Sequence, residues 1–293
     1  LNFTDNPRGV ARMSGLACAL FSLANGLEPV LQVQTGQRGR YDIESEVVGA
    51  YVAGVRNILC LCDDAGRLGP GPRPPAAPSD LDPIQALWML RRLRDEHVNV
   101  DGQPVEYQPE YFLGAIAAPY AALPRYEAIV TEKKINAGAQ FLQTLPIFDL
   151  GRFIEWMEAL DRRDLLGKAY LIASVAPFKS LYHARFMARQ VPGCFIPPAV
   201  LARLERSADP QEESIQIALE IIAELKDMQW IHGLHILAPE QEETATRLVE
   251  EGGLKDLPPR IRVVSGNGHD KAGLERSAGP GLLHALGLPQ PES

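Results

Sequence analysis

The chain is poor in the features that mark several large classes of protein. Among its 293 residues cysteine occurs only at Cys18, Cys60, Cys62 and Cys194. So thin a scatter cannot staple a fold with disulfides; it fits a reducing compartment, and a cytoplasmic protein is expected. Uninterrupted apolar runs of about 18 residues are lacking, so no membrane span is expected. No charged segment leading into an apolar one opens the chain, so neither is a signal peptide. Lys and Arg form no run and the net charge is -8, a balance unsuited to a phosphate backbone, so a nucleic-acid partner is not expected. A Gly-rich phosphate turn is also lacking. Gly66, Gly69 and Gly71 are interleaved with Pro70 and Pro72 and lead directly into no helix, which counts against a doubly wound dinucleotide fold.

What is present is alternation. Short apolar runs at Glu28–Thr35, Asn57–Cys62, Tyr111–Ala118, Phe141–Phe148, Tyr170–Ala176 and Gly233–Ala238 read as strands, and Leu1–Thr4 as the end of another. Amphipathic stretches follow them at Arg12–Ala24, Ile43–Ala53, Pro83–Glu96, Arg125–Ala137, Leu150–Leu160, Ser180–Gln190 and Glu240–Glu251. Two more helices, near Pro198–Ser207 and Pro210–Asp227, come without a strand between them. Strand–helix repetition on short connections builds a parallel sheet with right-handed crossovers, and strands that are apolar throughout are covered on both faces. Seven such units predict a TIM (β/α)8 barrel whose first β/α unit is missing, over residues 1–256. Residues 257–293, broken up by Pro258-Pro259, Gly266-Asn267-Gly268 and Gly279-Pro280-Gly281, are expected to form an irregular, disordered or loosely wrapped tail.

Active sites of parallel barrels lie at the C-terminal ends of the strands. Those positions hold Thr4, Asp5 and Asn6, then Gln32, Gln34, Thr35 and Gln37, then Asp63 and Asp64. Ala117, Ala118 and Tyr120 follow, then Thr144, Leu145 and Asp149, then Phe178 and Lys179, and finally His235. The rim is polar but short of nucleophiles, with neither a Ser-His-Asp arrangement nor a metal cluster, which suits an enzyme whose cofactor performs the hard step. Bland readings stand beside each feature. Asp63-Asp64 also suits a turn or a helix cap. Cys60 and Cys62, two apart on a strand, share a face and suit a buried pair better than a metal or redox site. His232 and His235, three apart, point to opposite faces of a strand and do not share a metal. Lys133-Lys134 is a solvated helix face unless an anion lies nearby.

Several segments together resemble the flavin-dependent methylenetetrahydrofolate reductase family. Glu132-Lys133-Lys134-Ile135-Asn136-Ala137-Gly138-Ala139-Gln140-Phe141, continuing to Pro146-Ile147-Phe148-Asp149, is similar to the family's K-x-D-A-G-A-x-F-x-x-T-Q-x-x-F-D. Gly54-Val55-Arg56-Asn57-Ile58-Leu59-Cys60-Leu61 followed by Asp64 is similar to its G-I-R-N-I-L-A-L-x-G-D. Asn2-Phe3-Thr4-Asp5-Asn6-Pro7, Ala176-Pro177-Phe178-Lys179-Ser180 and Gly233-Leu234-His235-Ile236-Leu237 resemble further family strands. The likeness spans Asn2 to Gly253.

The resemblance implies an oxidoreductase of one-carbon and methionine metabolism. It would reduce 5,10-methylenetetrahydrofolate to 5-methyltetrahydrofolate by ping-pong hydride transfer through FAD, with NAD(P)H or a partner redox subunit as donor and homo- or hetero-oligomers possible. It implies that Thr4, Gln32, Asp64 and Ala117 surround the flavin, with Asp64 tuning it as the catalytic residue. Lys133 and Lys134 would reach its phosphates, and Leu145 and Phe178 would stand at the folate site. The sequence departs from the pattern at three points. Leu145 replaces the folate-binding Gln, Asp63 replaces the Gly before the key Asp, and the general-acid Glu of the first strand has no counterpart. Two other functions stay open: a non-catalytic flavin- or folate-binding barrel subunit of a complex, and a folate-linked one-carbon transfer enzyme.

Overall fold

The computed structural model describes residues 1–3, 12–36, 38–62, 80–120, 123–191 and 193–255. The chain divides into Leu1–Pro259 and Arg260–Ser293. The second of these, and with it the expected tail, lies outside the described residues.

Seven strands form one parallel sheet in chain order among the described residues: β1 (Asn2–Phe3), β2 (Val30–Gln34), β3 (Asn57–Leu61), β4 (Phe112–Ala117), β5 (Phe141–Pro146), β6 (Tyr170–Val175) and β7 (Gly233–Ile236). Each pairs only with its neighbours, so the curved sheet stays open between β7 and β1. Among the described residues this is a seven-stranded TIM-type α/β barrel, as the seven-unit pattern predicts. The helices are α1 (Gly15–Ala24), α2 (Arg40–Val52), α3 (Pro83–Asp95), α4 (Pro124–Asn136), α5 (Leu150–Asp161), α6 (Leu181–Gln190), α7 (Pro198–Arg206), α8 (Pro210–Asp227) and α9 (Glu242–Glu251). Among the described residues no helix is long and apolar enough to cross a membrane.

Helix starts differ from the periodicity where capping chemistry decides. The Ser14 hydroxyl accepts from the Ala17 N–H, so α1 begins after Ser14 rather than at Arg12. Asp42 Oδ2 accepts from the Gly39 N–H, which lets α2 start at Arg40, ahead of the first apolar residue Ile43. Asp82 and Gln85 form a reciprocal capping box in front of α3. At the last helix, Glu240 takes a left-handed backbone (φ 58°), which keeps it and Gln241 out of α9.

The two faces of the sheet differ. On the outer face Leu31, Val33, Ile58, Cys60, Leu113, Ala115, Ala117, Leu142, Leu171 and Ala173 are buried beneath helices that contribute Val47, Leu87, Leu90, Phe153, Trp156 and Ile222. On the concave face most residues are only half-buried, including Val30, Gln32, Gln34, Asn57, Leu61, Ile116, Ile172 and His235. The floor of this face is aromatic: Phe112 and Phe141 stack with centroids 5.1 Å apart, and Tyr170 lies 5.9 Å from Phe112. Gly114 makes that floor possible, because a Cβ there would fall within the Phe141 ring.

Candidate functional site

Above the aromatic floor the concave face carries amides. Gln32 Nε2 donates to Asn2 Oδ1 at 2.8 Å, and Asn2 Nδ2 donates to Gln143 Oε1 at 2.8 Å. The chain of bonds crosses from β2 through β1 to β5, so Asn2 joins strands far apart in sequence. It uses Gln143's acceptor and leaves its two Nε2 donors available on the same face. Leu145 follows Gln143 two residues on, half-buried and nearer the C-terminal end of β5, inside the stretch where the β5–β6 register shifts.

A second polar group lies on β6 and β7. Ser174 Oγ donates to the Thr144 carbonyl at 2.6 Å and lies 3.0 Å from His235 Nδ1, while Thr144 Oγ1 accepts from the Ser174 N–H at 2.9 Å. The β5–β6 register shifts between Gln143 and Pro146, which is what brings Thr144 against Ser174. Burial, and secondarily the positive charge of the Leu1 amino group, push the His235 imidazole down to about 4. It is therefore neutral at ordinary pH. His232, by contrast, accepts from the Leu171 N–H through Nδ1 and packs edge-on to Tyr170.

The expected site residues are distributed unevenly. Thr4, Asp63 and Asp64 lie outside the described residues. Gln32 is on the concave face, in the amide chain. Ala117 is fully buried on the helix side, so only its backbone can serve a ligand on the concave face. Lys133 is exposed on α4. Lys134 does not lie on a solvated face: its Nζ donates to the Ile116 carbonyl at 2.8 Å and pairs with Glu127 at 3.6 Å, and Glu127 also accepts from the Ala118 N–H. Burial lowers the Lys134 pKa against the pull of Glu127. Phe178 is 1% exposed and stacks on Phe148 at 4.8 Å, with His183 at its edge. Lys179 reaches Glu240 at 2.6 Å, and Arg12 approaches the same carboxylate at 3.9 Å.

Two other rim residues have internal duties. The Tyr120 hydroxyl donates to the Asp149 carbonyl and accepts from the Phe148 and Asp149 N–H groups. Asp149 caps α5 through the Arg152 N–H. Cys60 is buried, which pushes its thiol up to about 12, whereas Cys62 is exposed. Among the described residues no three His, Cys, Asp or Glu side chains gather as a metal site would require. Sequence reasoning missed Asn2, Ser174 and Glu127. The period-two parity of β6 could have flagged Ser174, since it shares a face with Ile172; Asn2 acts through partners distant in sequence, and Glu127 through the nearby Lys134 and the Ala118 N–H, contacts that helix periodicity alone does not show.

The fold and site define an open parallel α/β barrel with an amide-lined concave face. A family model described as methylenetetrahydrofolate reductase matches residues 1–253, and the chain belongs to that family. Among solved structures, it is similar to an uncharacterized protein from Clostridium thermocellum that binds two copies of 5-methyl-5,6,7,8-tetrahydrofolic acid. The TM-score is 0.57 and the identity 14%, covering 78% of this chain and 74% of that one. A delta-aminolevulinic acid dehydratase (porphobilinogen synthase) from Toxoplasma gondii matches at 14% identity over 74% of this chain and 68% of its own, but with a TM-score of 0.35, too low to inform the fold.

Proposed function

We propose that the chain binds a reduced folate on the concave face of the barrel and takes part in reductase-type one-carbon chemistry, the conversion of 5,10-methylenetetrahydrofolate to 5-methyltetrahydrofolate. The observation that carries the reading is the Asn2–Gln32–Gln143 chain. It holds Gln143 Nε2 on an open, aromatic-floored face with its donors unspent among the described residues. A pterin offers flat apolar faces and an amino-lactam edge, and a site of this kind meets it with stacking surface below and an amide beside. Membership of the family supports the reading. So does the folate bound by the Clostridium thermocellum protein.

Methylenetetrahydrofolate reductases are generally flavin-dependent, and FAD would supply the hydride. The described residues fit a flavin only in part. Gln32 is placed on the concave face, and exposed Lys133 can meet an anionic group at the barrel's edge. Lys134 is committed to Glu127 and to the Ile116 carbonyl. What this chain's own residues do is bind and orient: the amides hold the pterin edge, and the Phe112–Phe141 floor excludes water from beneath it.

That commitment of Lys134 favours a second reading, a barrel subunit that binds folate and leaves reduction to a partner. Two measurements on the purified 293-residue chain separate the readings. Titration with 5-methyltetrahydrofolate, followed by intrinsic fluorescence, tests folate binding; a flavin absorbance band tests the cofactor. Binding with flavin supports the reductase, and binding without it the subunit. No saturable binding defeats both.

A further inference from the structure

The Ser174 hydroxyl has a single proton, and its place is fixed. Ser174 Oγ and the Thr144 carbonyl oxygen are 2.6 Å apart. Two acceptors at that separation repel each other unless a hydrogen lies between them, so the serine proton points at Thr144. Ser174 Oγ therefore faces His235 Nδ1, 3.0 Å away, with a lone pair. That contact is a hydrogen bond only if Nδ1 carries the proton. In a neutral imidazole a proton on Nδ1 leaves Nε2 with a lone pair. The tautomer of His235 is thus set from the backbone outward, through Thr144 and then Ser174.

Nε2 has no hydrogen-bond partner among the described residues, and the ring is half-buried on the concave face near the C-terminal end of β7. This is the end of a parallel barrel at which ligands bind. We propose that His235 presents Nε2 as a hydrogen-bond acceptor to an N–H donor of the bound heterocycle, and that Ser174 and Thr144 are positioning residues that hold the tautomer. The inference rests on the folate reading above and adds a residue to it: a reduced pterin carries ring and exocyclic N–H groups, and an acceptor that stays neutral meets them without charge. Burial, which keeps the ring uncharged, is what preserves the lone pair through the ordinary pH range.

Three proteins test it: the parent, His235→Asn and His235→Gln, each confirmed folded by circular dichroism and thermal unfolding. Asn can still donate to Ser174 but has nothing where Nε2 was. Gln can return an acceptor near that position. Affinity for 5-methyltetrahydrofolate should fall about 5- to 150-fold in His235→Asn, the range for a ligand donor left unmet, and should recover in part in His235→Gln. Long-range nitrogen–proton NMR of histidine-labelled parent should show Nδ1 protonated and Nε2 unprotonated, with Nε2 shifting when 5-methyltetrahydrofolate is added. Ser174→Ala should mix the tautomers. A parent that binds the folate with Nε2 protonated in the free protein overturns the inference. So does a parent that binds no better than His235→Asn; in both cases the folate reading stands. A parent that does not bind the folate at all removes that reading and the inference with it.

Discussion

Lys134 Nζ lies 3.6 Å from Glu127 Oε1 and 2.8 Å from the Ile116 carbonyl, inside the layer between α4 and β4. The pair does structural work. Glu127 holds the Ala118 N–H just past β4, and Lys134 satisfies a strand carbonyl, so together they pin the helix to the end of its strand. Removing one partner leaves the other charged and buried. Lys134→Met should therefore destabilise the chain by roughly 3–5 kcal/mol, and the double change Lys134→Met with Glu127→Leu by much less. Urea unfolding of the three proteins checks this. Lys133→Ala, on the exposed side of α4, should leave the urea midpoint unchanged; if it alone lowers flavin content, the phosphate role belongs to Lys133. Equal loss of stability from the single and double variants would show that no coupled pair exists.

Gly114 and Phe141 make a second coupled pair. The ring of Phe141 occupies the space a Cβ on Gly114 would need, and it stacks there on Phe112. Gly114→Ala should cost about 1–3 kcal/mol, the usual penalty of an over-packed core. Adding Phe141→Leu should make the alanine tolerable, so the cost of the two changes together should be less than their sum. Because this stack floors the candidate site, Phe141→Leu should also weaken folate binding by a few-fold. An additive double mutant would break the link between the glycine and the ring.

Acid stability should carry the mark of His235. Its folded-state value is lowered to about 4 from the ordinary 6.5, so below pH 6.5 the unfolded chain takes up a proton that the folded chain refuses. The sign follows: this residue leaves stability unchanged above pH 6.5 and reduces it as pH falls from about 6.5 towards 4. The loss reaches on the order of 3 kcal/mol at most. Against the carboxylates, which titrate lower, this is a separate upper limb of the acid transition. His235→Asn should remove it. Unfolding midpoints measured in urea from pH 7.5 to 4.5 would show the limb in the parent and its absence in the variant. Superimposable curves would mean that the ring titrates normally.

The fold was legible because its signals are local. Seven apolar runs followed by amphipathic stretches are all that a parallel barrel requires, and the matched strands β2 to β7 agree with those runs to within one or two residues at most ends. The disagreements sit where a side chain overrides periodicity, as Ser14 does at α1 and Asp42 at α2. The site was less legible because it is made of long-range partners. Parity predicts that Gln32 and Gln143 share the concave face, but not that Asn2 lies between them, 141 residues from Gln143. A Lys-Lys pair on a helix looks alike whether one of its members is solvated or buried. Only Glu127, seven residues earlier and turned towards the strand, distinguishes Lys134 from Lys133.

Leu145 is the substitution that bears most directly on the folate reading, because the family pattern has a glutamine at that point. It is half-buried near the C-terminal end of β5, with its Cδ1 only 2.7 Å from where a Cβ on Gly193 would stand. Gly193 has a left-handed backbone (φ 73°), so the leucine packs against a loop that only glycine closes easily. Leu145→Gln exchanges that apolar contact for an amide. Losing the contact should cost on the order of 1 kcal/mol of stability, read from the urea midpoint. If the pterin edge reaches this height on β5, the new amide should tighten 5-methyltetrahydrofolate about 5-fold or more, the gain from meeting a polar group otherwise left unpaired. If the pterin lies one pleat deeper, against Gln143, affinity should stay the same while the stability cost remains. Gln143→Leu then decides between the two heights: it should abolish tight binding in the deep pose and leave it unchanged in the shallow one. Unchanged affinity in both single variants would remove β5 from the folate site altogether.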